Sequence, residues 1–174
     1  MQDANGYKYL GWWQIGFRHG EGTREGPNGD KYIGSWQYDK RHGEGIFTSP
    51  HDPQDPILKY AGQFRDDKRH GQGIMEFKNG LKYEGFFKYH RFHGKGTFTW
   101  KNHDRYLKYT GQFDGLKRNG QGKMEFTNGQ MQDAEFVWHH VWHHTQSSGR
   151  WVIKAGILSA SGAPATEQEY LVFV

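Results

Sequence analysis

Large apolar residues recur along this chain with a two-residue alternation set inside a longer beat. Aligned on Tyr9, Tyr32, Tyr60, Tyr83 and Tyr109, every copy carries Gly at +2 (Gly11, Gly34, Gly62, Gly85, Gly111) and Trp or Phe at +4 (Trp13, Trp36, Phe64, Phe87, Phe113). Two further glycines stand at +11 and +13: Gly20/Gly22, Gly43/Gly45, Gly71/Gly73, Gly94/Gly96 and Gly120/Gly122. Alternation of this kind marks a strand with one apolar face. The return segment alternates in the same way, reading Gly71, Gly73, Met75, Phe77 in the third copy and Gly94, Gly96, Phe98, Trp100 in the fourth. Each copy therefore predicts a β-hairpin in which rings lie over glycine backbone, because a missing Cβ leaves room for them. On this reading a branched side chain at Gly71 strikes a ring.

The tyrosines are 23, 28, 23 and 26 residues apart, so the unit is 23 residues long with insertions at 49–59 and 101–108. The insertions replace the Asn-Gly pairs that close the other copies (Asn28-Gly29, Asn79-Gly80, Asn128-Gly129), pairs suited to the positive φ of a tight reversal. Continuing the register reaches Gln132, Ala134 and Phe136, a decayed sixth copy with its ring kept. In the first copy Arg24 and Gly26 replace the later apolar residues, as in a cap. One hairpin is marginal in water, so the copies must stack. The expected fold is all-β: an elongated, single-layer antiparallel sheet of stacked hairpins, five full copies and a decayed sixth, with an irregular C-terminal tail. Residues 7–138 form the array. Residues 139–174 hold a His-rich junction, a short strand within 150–158 (RWVIKAGIL), a linker (SASGAPAT) and an apolar end (YLVFV).

Over residues 7–138 the unit resembles the MORN repeat (membrane occupation and recognition nexus), with its Y-x-G-x-W, G-x-G and N-G elements. The resemblance implies hairpins stacked into a long, twisted single-layer sheet. It also implies a cytoplasmic organiser of cytoskeletal, ciliary or membrane-contact assemblies.

Composition mostly excludes. With no Cys there is no disulfide framework, thiolate metal site or Cys nucleophile. A net charge of +4 over 174 residues is too mild to argue for nucleic acid. The Gly-x-Gly pairs open strands rather than helices, so they are not phosphate loops. No Gly-x-Ser-x-Gly or His-Glu-x-x-His pattern is present, and no enzyme and no cofactor is expected. His19, His42, His70 and His93 fall once per copy at +10 and read as turn residues; at two strand spacings, about 10 Å, they are too far apart to share a metal ion. In the run Trp138-His139-His140-Val141-Trp142-His143-His144, helical i,i+4 pairs could chelate, but no carboxylate stands in fixed relation to them, and no metal site is expected.

Two surfaces remain. A single-layer sheet leaves a face open, and an open aromatic face marks an interaction site. It comprises Tyr32, Trp36, Tyr60, Phe64, Phe77, Tyr83, Phe87, Phe98, Trp100, Tyr109, Phe113 and Phe126, expected to take a helical or extended segment of a partner protein. A basic edge, Arg18, Lys40, Arg41, Lys68, Arg69, Arg91, Lys117 and Arg118, recurs at +8 or +9 and is the alternative site, for anionic lipid headgroups. Changing Arg41, Arg69 and Arg118 together to Gln is then expected to weaken anion binding without lowering the melting temperature. A homodimer is compatible with either surface.

Overall fold

The structure, a computed structural model, describes residues 5–115, 117–136 and 157–158. Five hairpins follow one another: β1 (Lys8–Gln14) with β2 (Phe17–Glu25), β3 (Lys31–Gln37) with β4 (Lys40–Thr48), β5 (Ile57–Arg65) with β6 (Lys68–Phe77), β7 (Leu81–Lys88) with β8 (Arg91–Trp100), and β9 (Tyr106–Gly115) with β10 (Lys117–Phe126). The decayed copy supplies β11 (Met131–Phe136), and the segment expected as a tail strand supplies β12 (Ile157–Leu158). All twelve lie in one sheet in sequence order, each antiparallel to the next. The expected single-layer hairpin array is therefore the observed fold. The His-rich junction, the remainder of 150–158, the linker and the apolar end lie outside the described residues.

A line of paired glycines crosses the sheet. Gly34 faces Gly45 within a hairpin, and Gly22 faces Gly34, Gly45 faces Gly62 and Gly73 faces Gly85 between repeats. The line runs from Gly11 to Gly122 and ends on Ala134. Each tyrosine lies along its own strand over this line, and four donate their hydroxyls to the carbonyl three residues on: Tyr9 to Trp12 at 3.0 Å, Tyr32 to Ser35 at 3.0 Å, Tyr60 to Gln63 at 2.8 Å and Tyr83 to Phe86 at 3.1 Å. A Cβ built on Gly73 would stand 2.6–2.8 Å from the hydroxyl and ring atoms of Tyr60. The +4 rings fill the gaps edge-on. Tyr60 lies 5.0 Å from both Phe64 and Phe87, and Tyr32 lies 5.1 Å from both Trp36 and Phe64. Glycine and aromatic residues thus build a core inside a single layer, with no second sheet among the described residues.

Glycine performs two tasks where the sequence suggested one. The +13 glycines lie under rings. The +11 glycines lie at positive φ, from 60° in Gly94 to 70° in Gly43, where the strand kinks behind the turn. No ring crosses Gly71; a Cβ there would meet the Gln63 side chain. The expected clash belongs to Gly73.

The Asn-Gly reversals lie between hairpins as expected, and a second set of reversals lies within them. Asn28-Gly29, Asn79-Gly80 and Asn128-Gly129 join hairpin to hairpin, and only their glycines have positive φ (76°, 86° and 81°). Asn79 and Asn128 use their side-chain oxygens to accept the backbone N–H two residues on. Within hairpins, two-residue loops carry positive φ on ordinary residues: Tyr38-Asp39, Asp66-Asp67 and Tyr89-His90, at 47° to 70°. Paired positive φ matches the twist of the flanking strands. Because these loops are so tight, His19, His42, His70 and His93 sit in strands rather than in turns. At the start of the array Arg24 covers the Tyr7 ring at 3.7 Å, in place of the apolar pair of later repeats.

Candidate interaction surfaces

The aromatic face is closed by its own rings. Of the twelve residues expected to line it, Tyr32, Trp36, Tyr60, Phe64, Tyr83, Phe87, Phe98, Trp100, Tyr109 and Phe113 are buried, and Phe77 and Phe126 are packed against them half-buried. Burial pushes the Tyr32, Tyr60 and Tyr83 phenols well above their ordinary range. The sequence could not separate a face that is apolar because it is open from one that is apolar because it is core. Here the tyrosines lie on glycine and the +4 rings close over them edge to face.

The basic ladder splits into two rows. At +9, Arg18, Arg41, Arg69 and Arg118 turn onto the aromatic face. Their guanidinium carbons stand 4.5 Å from the Trp36 ring, 5.2 Å from Phe64, 5.9 Å from Tyr60 and 5.5 Å from Tyr109. Arg91 does not belong with them, since the +9 place in its repeat is held by Phe92, stacked on Tyr83 at 4.0 Å. At +8, Lys40, Lys68, Arg91 and Lys117 are exposed.

Arg18 and Arg41 clasp the first repeat to the second and the second to the third. Arg18 donates its backbone N–H and Nε to Asp39 Oδ1, both at 2.9 Å, and Asp39 N–H donates to the Arg18 carbonyl at 3.1 Å. Arg41 and Asp67 repeat the arrangement at 3.0, 3.1 and 3.0 Å. Partial burial works against the charge on Asp39, but the hydrogen bonds and positive charge of Arg18 hold it below the usual carboxylate range. At the third joint His90 takes the aspartate's place, its Nδ1 accepting the Arg69 N–H at 3.4 Å. In the sequence the fourth pair is Phe92 and Leu116, so both partners change together.

His90 gives the third joint a pH dependence. Burial, then the charges of Arg69, Arg41 and Lys68, hold its pKa below the ordinary 6.5. Unfolding therefore takes up protons just below pH 6.5, and stability falls as the pH drops through that window. Urea titrations at stepped pH are expected to show this loss and to show it reduced in His90→Gln. An equal slope in the variant would assign the pH dependence to other groups.

The opposite face of the sheet is the open one. A groove of about 920 Å³ follows the glycine line from β2 to β9. One wall is the apolar row Ile33, Ile46, Ala61 and Ile74, contributed by four consecutive strands and cross-paired Ile33 to Ile46 and Ala61 to Ile74. The other wall is polar at Glu21, Glu44, Gln63 and Gln72 and continues into Phe86 and Lys95. Ile33 and Ile46 are 47% and 42% exposed. Beyond the apolar row, on the same face, a Lys precedes every repeat tyrosine: Lys8, Lys31, Lys59, Lys82 and Lys108. Lys31 pairs with Glu25 at 2.6 Å and Lys108 with Glu125 at 3.5 Å. The sequence signal for this surface was the residue on either side of each tyrosine, Lys before and Ile or Ala after, in the second and third repeats.

Among the described residues no three His, Asp or Glu side chains converge to hold a metal ion. The 139–144 histidine run lies outside them. No curated protein matches the chain. The family model for the MORN repeat matches residues 9–31, 32–50, 60–82, 83–105 and 109–131. MORN repeats are generally protein or membrane interaction modules and are not a known enzyme family. With five matched repeats over well more than half its length, and with the hairpins, glycine line and ring packing described above, the chain belongs to the MORN-repeat family.

Proposed function

We propose that the chain is a non-catalytic scaffold that holds a helical segment of a partner protein in the groove of its open face, within a cytoskeletal, ciliary or membrane-contact assembly. The observation that carries the reading is the apolar row Ile33, Ile46, Ala61 and Ile74, exposed at Ile33 and Ile46 and half-buried at Ala61 and Ile74, lying between a lysine row and the acids Glu21 and Glu44. Neighbouring strands are about 4.8 Å apart, close to the 5.4 Å pitch of a helix, so a helix laid along the groove sets one apolar side chain against each strand. An extended segment repeats on one face at roughly 6.6 Å and falls out of step. The seven strand steps from β2 to β9 span about 34 Å, room for a helix of roughly 22 residues. The complementary helix is apolar along one stripe, basic beside Glu21 and Glu44, and acidic beside the lysines.

Displayed random peptides selected on the full chain test this. The expected winners have apolar residues at i, i+3 and i+4, become helical when bound, and lose about tenfold or more in affinity for Ile46→Lys or Ile74→Lys. Winners that ignore both substitutions would remove the groove as the site. A second reading, anionic lipid binding, is favoured by the exposed +8 cations. On that reading the triple change Lys40→Gln, Lys68→Gln and Arg91→Gln abolishes co-sedimentation with phosphatidylserine vesicles, and Ile46→Lys leaves it unchanged.

A further inference from the structure

The outer edge of β1 is apolar and open. Leu10, Trp12 and Trp13 are 81%, 72% and 46% exposed. On the side of β1 away from β2, no strand lies beside it among the described residues. Natural sheets shorten, charge or cover such edges, because unpaired backbone groups recruit another strand. Here the one charge on the strand is Lys8, at its start.

We infer that this edge pairs with the same edge of a second copy of the chain, antiparallel and two-fold symmetric about Gly11. The inference goes beyond the groove reading and does not depend on it. The strand is self-complementary in that register. Gly11 faces Gly11, Leu10 of one copy faces Trp12 of the other, Tyr9 faces Trp13, and Lys8 faces Gln14. No like charges are opposed. Glycine facing glycine is also how each repeat meets the next, so the pairing continues the glycine line through the two-fold axis. The backbone permits it. On β3, the matching strand of the second repeat, the outer edge pairs without a break from Lys31 to Trp36; the irregularity after the +2 glycine is confined to the hairpin side.

Ring packing gives a second, independent argument. Trp36, Phe64, Phe87 and Phe113 each touch two repeat tyrosines and are buried. Trp13 touches Tyr9 at 5.2 Å and is half exposed. The two-fold pairing sets Tyr9 of the other copy directly across from it, supplying the second tyrosine as a cross-strand pair. The two tryptophans of each copy alone place on the order of 500 Å² of ring surface at the joint.

Sedimentation velocity of the full chain over a micromolar concentration series tests this. The expected result is a concentration-dependent dimer that becomes monomeric when Leu10→Lys and Trp12→Lys are combined, with the circular dichroism spectrum retained because both side chains are exposed. The register has its own readout, since the chain contains no cysteine. Leu10→Cys mixed with Trp12→Cys is expected to give a disulfide-linked heterodimer in excess of either homodimer. A chain that stays monomeric, a dimer that survives the lysine pair, or self-linking as efficient as cross-linking would each overturn the inference.

Discussion

Gly73→Ala is expected to destabilise the array by about 3 kcal/mol or more, while Gly71→Ala, two residues earlier, costs about 1–2 kcal/mol. The first substitution places a methyl group 2.6 Å from the Tyr60 hydroxyl and 2.7–2.8 Å from its ring carbons. That ring has nowhere to go. It is fully buried, flanked at 5.0 Å by Phe64 and by Phe87, and its hydroxyl is held by the Gln63 carbonyl at 2.8 Å. Moving it displaces rings in two repeats, so the strain does not stay local. Overpacking of about 1–3 kcal/mol is usual where neighbours can yield, and here they cannot. At Gly71 the obstacle is different. Its φ of 61° is costly for an L-residue, and the nearest group is the flexible Gln63 side chain, which can swing away. Urea unfolding of the two variants reads the contrast directly. Equal midpoints would mean that the tyrosine rings do not rest on the +13 glycines.

That contrast shows where the sequence was legible. Period, strand parity and the glycine-under-ring principle follow from residue spacing, because side chains two apart share a face whatever the detailed backbone. The five-repeat array and even β11, kept as Ala134 opposite Gly122, could be read this way. Backbone dihedrals could not. A glycine required by a kink and a glycine required by a ring look the same in a string of letters, so spacing alone assigns Gly71 and Gly73 one task. Tyr38-Asp39 and Asp66-Asp67 lack any glycine signal for their paired positive φ; the clasp from the preceding arginine supports Asp39 and Asp67 there.

The candidate surface was less legible than the fold. An aromatic run states that a face is apolar but not whether its rings cover each other, and Trp36 and Phe64 are buried by the tyrosines on either side of them. The groove was hidden for the opposite reason. Its row alternates between strands far apart in sequence, with Ile33 beside Ile46 and Ala61 beside Ile74, and interleaves with polar residues. It becomes a stripe only once cross-strand register is known.

The second large effect reverses an expectation drawn from charge alone. Changing Arg41, Arg69 and Arg118 together to Gln is expected to lower stability by about 2–4 kcal/mol, and with it the melting temperature. Arg41 loses the Nε bond to Asp67 at 3.1 Å and its cover over Phe64 at 5.2 Å. Because Asp67 is about half exposed, that ion pair is discounted to roughly 1 kcal/mol. Arg69 is largely buried, its charge disfavoured chiefly by desolvation, and it shields Tyr60. Arg118 covers Tyr109. Each loss falls at the contact between one repeat and the next or on the ring below it. In a linear array such losses weaken nearest-neighbour coupling, so the melt is expected to broaden as well as shift. The control removes three positive charges from the other row: Lys40→Gln, Lys68→Gln and Arg91→Gln together. Their side chains are exposed, and surface changes of that kind usually stay within about 0.5 kcal/mol each. Net charge falls equally in both triples, so any difference in melting reports position rather than charge. If the two triples melt alike, the arginine row is a solvated edge and the clasp contributes nothing to holding the repeats together.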